Sequence, residues 1–216
     1  MYVKFIKRLL DIIISLVALP FVVLIIAIMA PIIYFTDKGP VFYNAERLGK
    51  RGKIFKMYKL RSMKVNSPNL LNSDGSTYNG EDDPRVTKIG KFMRKTSIDE
   101  LPQFINVLLG DMSIVGPRAH LTKSFKSYEQ LDEKRKRRLD VRPGITGYSQ
   151  AYFRNSIITE KKIENDVYYV ENLSFLFDIK ILLQTVLSVV KKENVYVSSE
   201  IVGGQIPIQE ENNKNA

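Results

Sequence analysis

The stretch KTSIDELPQF, residues 95–104, sets two carboxylates side by side, Asp99 and Glu100, between a basic segment and an apolar one. Such a pair can supply a nucleophile, a proton carrier or a hard ligand for a divalent cation. The same residues also spell Ser97-x-x-Glu100 ahead of an apolar run, the pattern of a capping box. The local pattern predicts a helix start between Ser97 and Asp99, with Pro102 in or near the first turn. There a carboxylate meets the positive end of the helix dipole, which keeps it ionised, and free N–H groups can bind phosphate. Successive helical side chains point roughly 100° apart, so two different roles suit the acids better than one shared proton.

Two further stretches, GDMSIVGPRAH (110–120) and DVRPGITGYSQ (140–150), each join an arginine, Arg118 or Arg142, to a Gly/Pro turn. Turns of this kind can offer backbone N–H groups and a guanidinium to phosphate oxygens, and they are also ordinary loops. His120 is the only histidine and there is no cysteine, so a metal would be held by oxygen ligands, which suits Mg²⁺ rather than Zn²⁺. The run KRKRR, residues 134–138, is a solvated helix face or a contact for anionic lipid.

The elements that must position these groups begin at a membrane. No charged residue occurs from Ile12 to Phe35, a run long enough to cross the ~30 Å hydrocarbon core as a helix. Lys4, Lys7 and Arg8 precede it, and Lys38, Arg47, Lys50, Arg51, Lys53 and Lys56 follow it. A simple span carries its basic bias on one side, whereas here both flanks look cytoplasmic. Pro20 lies inside the run, where a bend could return the chain to the face it entered; a kinked ordinary span is the alternative. Next, residues 36–63 alternate apolar and polar with turns at Gly39-Pro40 and Gly49 to Gly52, as in a small hairpin. Residues 65–84, dense in Asn, Ser, Asp, Gly and Pro, read as a long loop. RVTKIGKFMRK (85–95) predicts a basic amphipathic helix, on a membrane interface or packed on the core. SFLFDIKILLQTVLSVVKK (174–192) predicts another, with Lys180, Gln184, Ser188 and Lys191 as its polar stripe.

The chain of 216 residues is 44% hydrophobic and carries 33 Lys+Arg against 23 Asp+Glu, a net charge of +10. That excess favours polyanionic partners, whether nucleic acid, anionic lipid or phosphorylated small molecules.

The apolar N-terminus, YKLRSM, RKTSIDELPQFINVLLGDMSIVGPR, RPGITG and NDVYYVENLSFLFDIKIL follow one another in an order that resembles the bacterial sugar transferase family. These are the monotopic phosphoglycosyl transferases that begin surface-glycan assembly, and the resemblance runs from about Lys4 to Lys191, in the manner of the small catalytic-core members. It implies transfer of a sugar-1-phosphate from a UDP-sugar to a polyprenol phosphate, undecaprenyl phosphate being the expected acceptor. It implies Asp99 and Glu100 as catalytic residues, with Asp99 carrying the phosphosugar covalently and contacting Mg²⁺. It also implies a location on the cytoplasmic face of the bacterial inner membrane, amid anionic headgroups, with no nucleic acid bound and a homo-oligomer allowed. Family members re-enter the membrane at a Ser-Pro pair; here Leu19 precedes Pro20. Lys59, Arg61, Arg94, Arg118 and Arg142 fall within the matched segments as phosphate-binding candidates, and Gln150 joins them as a substrate-binding one. The rival class is a membrane-tethered basic binding protein without catalysis, which accounts for the charge and the amphipathic helices but not for the paired acids.

The expected fold is α+β and mainly helical. A re-entrant membrane helix occupies residues 1–38, and a compact interfacial catalytic domain over 39–192 holds the small β-hairpin and the amphipathic surface helices. A polar tail, 193–216, completes the chain.

Overall fold

The computed structural model describes residues 2–70, 78, 80, 82–121, 128–154 and 156–191. The expected tail 193–216 and much of the expected loop 65–84 lie outside the described residues.

The apolar N-terminal run forms one helix, α1 (Lys7–Asp37), preceded by a π-helical turn at Tyr2–Ile6. Helical structure continues through both Pro20 and Pro31, so neither proline ends it. Its buried residues are Asp11, Ser15, Val22, Met29 and Ile33, spacings of four and seven that trace one stripe along the helix. The remaining faces expose large apolar side chains, among them Leu16, Val17, Phe21, Leu24 and Phe35.

Both ends of α1 are fastened to the same body. At its start Arg8 donates to the carbonyls of Val107 (2.6 Å) and Leu108 (3.0 Å), and Asp11 accepts from Ser113 Oγ and the Ile114 N–H. Lys7 pairs with Asp178 at 2.7 Å. At its end Asp37 pairs with Arg61, and Met29 and Ile33 pack with Leu60 and Met93.

The expected hairpin is present as β1 (Ala45–Leu48) and β2 (Ile54–Met57), antiparallel, with a short β4 (His120–Leu121) on the other side of β1. β3 (Ser113–Val115) and β5 (Gly144–Thr146) pair in parallel as a separate two-stranded sheet. The main core gathers Phe55, Met57, Val107, Met112, Ile114, Val115, Tyr169 and Ile181 between these sheets and the helices α3 (Gln103–Leu109), α6 (Thr159–Glu171) and α7 (Phe175–Lys191).

The basic amphipathic segment becomes α2 (Lys88–Thr96), packed on α1 through Met93 and Ile89 while Phe92 stays exposed. Gly90 lets α2 lie against the segment around Ser62, because a Cβ there would meet the Ser62 carbonyl at 1.9 Å. Arg85 is not on the helix; it is buried against Asp83.

On α7 the expected polar stripe divides. Ser188 turns inward with Asp178, Ile181 and Thr185, whose hydroxyl meets Thr146 at 2.7 Å, while Lys180 and Lys191 stay exposed. The outward stripe is apolar instead: Leu176, Ile179, Leu183, Val186, Leu187 and Val190. An outward face this apolar, accompanied by the exposed Lys180 and Lys191, suits a lipid surface.

The KRKRR run falls entirely on α4 (Glu133–Arg138), and its cations are matched by acids. Lys134 meets Glu164, Arg135 meets Asp132, Lys136 meets Glu133, Arg137 meets Asp140 and Arg138 meets Asp166. This pairing favours the solvated-face reading over an unsatisfied lipid-binding patch.

Candidate active site

Asp99 and Glu100 lie in a 3₁₀ turn, Ile98–Glu100, between α2 and α3. The capping-box expectation is not met. Ser97 ends α2 in the left-handed region, φ 59°, its N–H bonded to Arg94 and Met93 carbonyls. The Glu100 N–H goes to the Ser97 carbonyl rather than to its hydroxyl, and the Glu100 carboxylate turns away to two cations. The basic residues Arg94 and Lys95 just before Ser97 were the available sign of a helix end, since cations favour the last turn.

The turn is joined to the strand-like segment after β2. Leu60 donates its N–H to the Asp99 carbonyl at 2.9 Å. Asn106 on α3, fully buried, grips the same segment from the other side: it accepts from the Tyr58 N–H and donates to the Lys56 carbonyl, both at 2.8 Å. Lys59 is thereby fixed between the two acids. Its Nζ lies 2.8 Å from Asp99 Oδ2 and 3.2 Å from Glu100 Oε1. Arg118 reaches the same Glu100 oxygen at 3.0 Å. Asp99 is buried.

Burial alone would push the Glu100 carboxyl up, but the Arg118 and Lys59 charges and their hydrogen bonds outweigh it and hold Glu100 well below the usual carboxylate range. Burial lowers Lys59, and the adjacent Asp99 and Glu100 more than reverse this, so it stays protonated. Glu100 raises Arg118 in turn, an effect tempered by solvent because more than half of that side chain is exposed. Glu100, Lys59 and Arg118 therefore all carry their charges at neutral pH.

Of the expected phosphate-binding residues, Lys59 and Arg118 meet at the dyad. Arg61 does not. All five of its N–H donors are taken by Asp37 and by the carbonyls of Pro40, Met63 and Ile33, so it clamps the end of α1. Arg94 bonds Ser62 Oγ at 3.0 Å and its charge bears on Asp83. Arg142 donates to the Gly110 carbonyl, beyond the far end of α3 from the dyad, a helix length of about 10 Å. Gln150, on α5 (Tyr148–Tyr152), has a buried amide without a partner.

The two Gly/Pro turns do not cradle an anion with the N–H groups of Gly116 and Gly144. These bond the Thr146 and Pro117 carbonyls, locking the turns onto each other. A Cβ on Gly144 would lie 2.1 Å from the Gly116 nitrogen, so the glycines serve this close approach.

Two cations were not foreseen as site residues. Arg154, with φ 48°, donates to Ser97 Oγ and the Ser188 carbonyl, and its charge faces Glu100. Arg47, on β1, faces Arg118 and Glu100. No periodic pattern marks Arg154; Arg47 was visible only as one more basic residue after the apolar run.

Among the described residues no three His, Asp or Glu side chains form a metal cluster. The Asp99–Glu100 pair nevertheless suits Mg²⁺, which commonly takes one or two protein carboxylates and completes its shell with water and substrate phosphates.

A family profile described as "Bacterial sugar transferase" matches residues 2–192. The chain is 42% identical to the UDP-glucose:undecaprenyl-phosphate glucose-1-phosphate transferase of Escherichia coli (strain K12), over 85% of this chain and 40% of that protein. It is 43% identical to the galactosyl transferase CpsE of Streptococcus agalactiae, over 83% of this chain and 41% of that one. An uncharacterized sugar transferase of Bacillus subtilis, EpsL, is 41% identical over 90% of this chain and 92% of its own. The chain thus spans about two fifths of the first two relatives and nearly all of the third.

Proposed function

The chain belongs to the bacterial sugar transferase family, and from that premise we propose that it transfers a sugar-1-phosphate from a UDP-sugar to undecaprenyl phosphate, the first step of a surface polysaccharide. The observation that carries this reading is the buried Asp99 carboxylate held by Lys59, beside Glu100 and Arg118. A buried nucleophile ringed by fixed cations is what phosphoryl transfer requires, since positioning and charge neutralisation do most of the work.

In the proposed sequence, an Asp99 carboxylate oxygen attacks the β-phosphorus of the UDP-sugar. The bond from that phosphorus to the bridging oxygen breaks, UMP leaves, and the phosphosugar remains on Asp99 as an acyl phosphate. A phosphate oxygen of the lipid acceptor then attacks the same phosphorus, releasing the Asp99 carboxylate and the polyprenol diphosphate sugar. Both attacking groups are anions, so no proton need be removed from either. Glu100 then serves best as the fixed anion that holds Lys59 and Arg118 at the reacting phosphate. Bound Mg²⁺, held by Asp99 with the diphosphate, would supply further neutralisation of the leaving group.

The acceptor's headgroup lies at a membrane interface. The exposed apolar faces of α1 and α7 support a protein seated in the cytoplasmic leaflet, and fastening of both α1 ends to one body supports re-entry over a span. The sugar is left open: relatives whose names specify glucose and galactosyl transfer match almost equally well. Purified protein incubated with UDP-sugars and Mg²⁺, without lipid acceptor, is expected to release UMP and gain one phosphosugar on the Asp99 peptide. No adduct and no UMP release until the lipid acceptor is added would favour direct transfer and remove the covalent step.

A further inference from the structure

Three arginines withdrawn from solvent each hold a carboxylate: Arg61 holds Asp37, Arg85 holds Asp83 and Arg138 holds Asp166. Arg47 is different. It lies in the central strand of the three-stranded sheet, opposite Phe55 on β2 and Leu121 on β4. Its Nε is sealed from solvent and has no hydrogen-bond partner, and no carboxylate comes within ion-pair distance of its guanidinium among the described residues. A partly buried guanidinium without an anion is costly, so the site retains an unmet demand for negative charge.

The surroundings say where that anion belongs. β1 lies between the strand β2, which leads into Lys59, and β4, which follows Arg118, so the sheet brings Arg47, Lys59 and Arg118 together. The backbone N–H of Tyr43, just before β1, bonds the Lys59 carbonyl at 2.8 Å, and the Tyr43 side chain faces Arg47. Burial and the neighbouring Arg118 charge push the Arg47 guanidinium down to about 10, against smaller opposing effects of Tyr43 and Glu100, and it remains charged. Lys59 and Arg118 are already engaged with the dyad, where the reacting phosphorus must sit. Arg47 is a cation beside them with no carboxylate within ion-pair distance among the described residues.

We propose that Arg47 binds the phosphate adjacent to the nucleoside, so that it holds the UDP-sugar before transfer and the nucleoside monophosphate as it leaves. This rests on the nucleotide-sugar reading above. Guanidinium suits the task because it can bond two phosphate oxygens at once.

The test is equilibrium binding of UMP, with Mg²⁺, to wild type, Arg47→Ala and Arg47→Lys, followed by kinetics. Arg47→Ala is expected to weaken UMP binding at least tenfold and to raise KM for the UDP-sugar. The rate at which a preformed phosphosugar enzyme passes its load to polyprenol phosphate should be unchanged. Arg47→Lys should recover part of the UMP affinity, while a thermal melt checks that each variant is folded. Unchanged UMP affinity in a folded Arg47→Ala protein overturns the proposal, as does a selective rise in KM for the lipid acceptor. Because UMP binding needs no turnover, a wild type that binds UMP but transfers nothing would sink the reaction and still decide the role of Arg47. A wild type that does not bind UMP overturns both.

Discussion

Lys59 Nζ sits 2.8 Å from Asp99 Oδ2 and reaches the neighbouring Glu100 as well, so one ammonium organises both carboxylates of the dyad. This makes the two acids inequivalent. Asp99 is buried and pairs with Lys59, while Glu100 spends its charge on Lys59 and Arg118. Asp99→Asn keeps the shape and the fold but loses the attacking carboxylate. Turnover is expected to fall by several orders of magnitude, with no phosphosugar adduct and with membrane association retained. An active Asp99→Asn protein, with deamidation to Asp excluded by mass spectrometry, would return the acids to a structural role.

The depressed Glu100 carboxyl predicts a pH signature. A carboxyl whose folded value lies below its ordinary 4.5 adds stability above that value and loses it as pH falls toward the folded one. Wild type should therefore lose melting temperature more steeply than Glu100→Gln from about pH 5 down to about pH 3. Parallel curves for the two proteins would mean that Lys59 and Arg118 do not stabilise ionised Glu100.

Asn106 is expected to be a stability residue whose loss reaches the site through Lys59. Asn106→Leu roughly preserves volume and strands the Tyr58 N–H and the Lys56 carbonyl. Each unsatisfied backbone group should cost about 1–3 kcal/mol, read from denaturant unfolding. Turnover of the remaining folded protein should fall too, because Lys59 follows Tyr58 directly. Full activity at reduced stability would separate Asn106 from the positioning of Lys59.

Much of the fold was legible because its signals are periodic or compositional: the apolar N-terminal run, the alternating hairpin and the two amphipathic helices. The dyad was legible for a similar reason, lying in a local motif of acids, serine and proline. What the sequence hid was competition for donors and acceptors. Arg61, Arg94 and Arg142 look like Arg118 as letters, yet Asp37, Ser62 and the Gly110 carbonyl claim them, and those partners are remote in sequence. Whether the Gly/Pro turns were anion cradles or ordinary loops was open in the sequence, because the mutual approach of Gly116 and Gly144 depends on the pairing of β3 with β5. On α7 the hydrophobic pattern was plain, but which face meets the protein was set by Asp178, which binds Lys7, Tyr2 and Tyr169.

Arg61 gives a direct contrast with a phosphate ligand. Removing it should leave Asp37 with only the Val65 and Gly39 N–H groups, and several carbonyls without their donor. A broken buried pair costs about 3–5 kcal/mol, and partial exposure of Asp37 lowers the expectation to about 2–3 kcal/mol. Arg61→Ala should thus melt earlier, while the KM of its folded fraction for a UDP-sugar moves little. An unchanged melt with KM raised tenfold would restore the phosphate-binding role.

The final prediction concerns how the protein meets the lipid that carries its acceptor. α7 exposes Leu183 at 62% and Val190 at 73%, on the stripe that runs from Leu176, while its inner face is tied to β5 through Thr185 and Thr146. Exposed positions away from such ties tolerate substitution within about 0.5 kcal/mol in water, so Leu183→Asp with Val190→Asp should leave the detergent-solubilised fold intact. In a bilayer interface the same change forfeits about 2 kcal/mol of apolar burial per side chain, before the cost of the added charges. Because α1 keeps its exposed apolar faces, the double variant should stay partly membrane-bound but sediment less completely with anionic vesicles. Transfer to membrane-embedded polyprenol phosphate should fall well below wild type, whereas UMP release without acceptor should be unchanged. A variant that binds vesicles and uses the embedded acceptor as wild type does would show that α7 faces water, leaving α1 as the membrane contact.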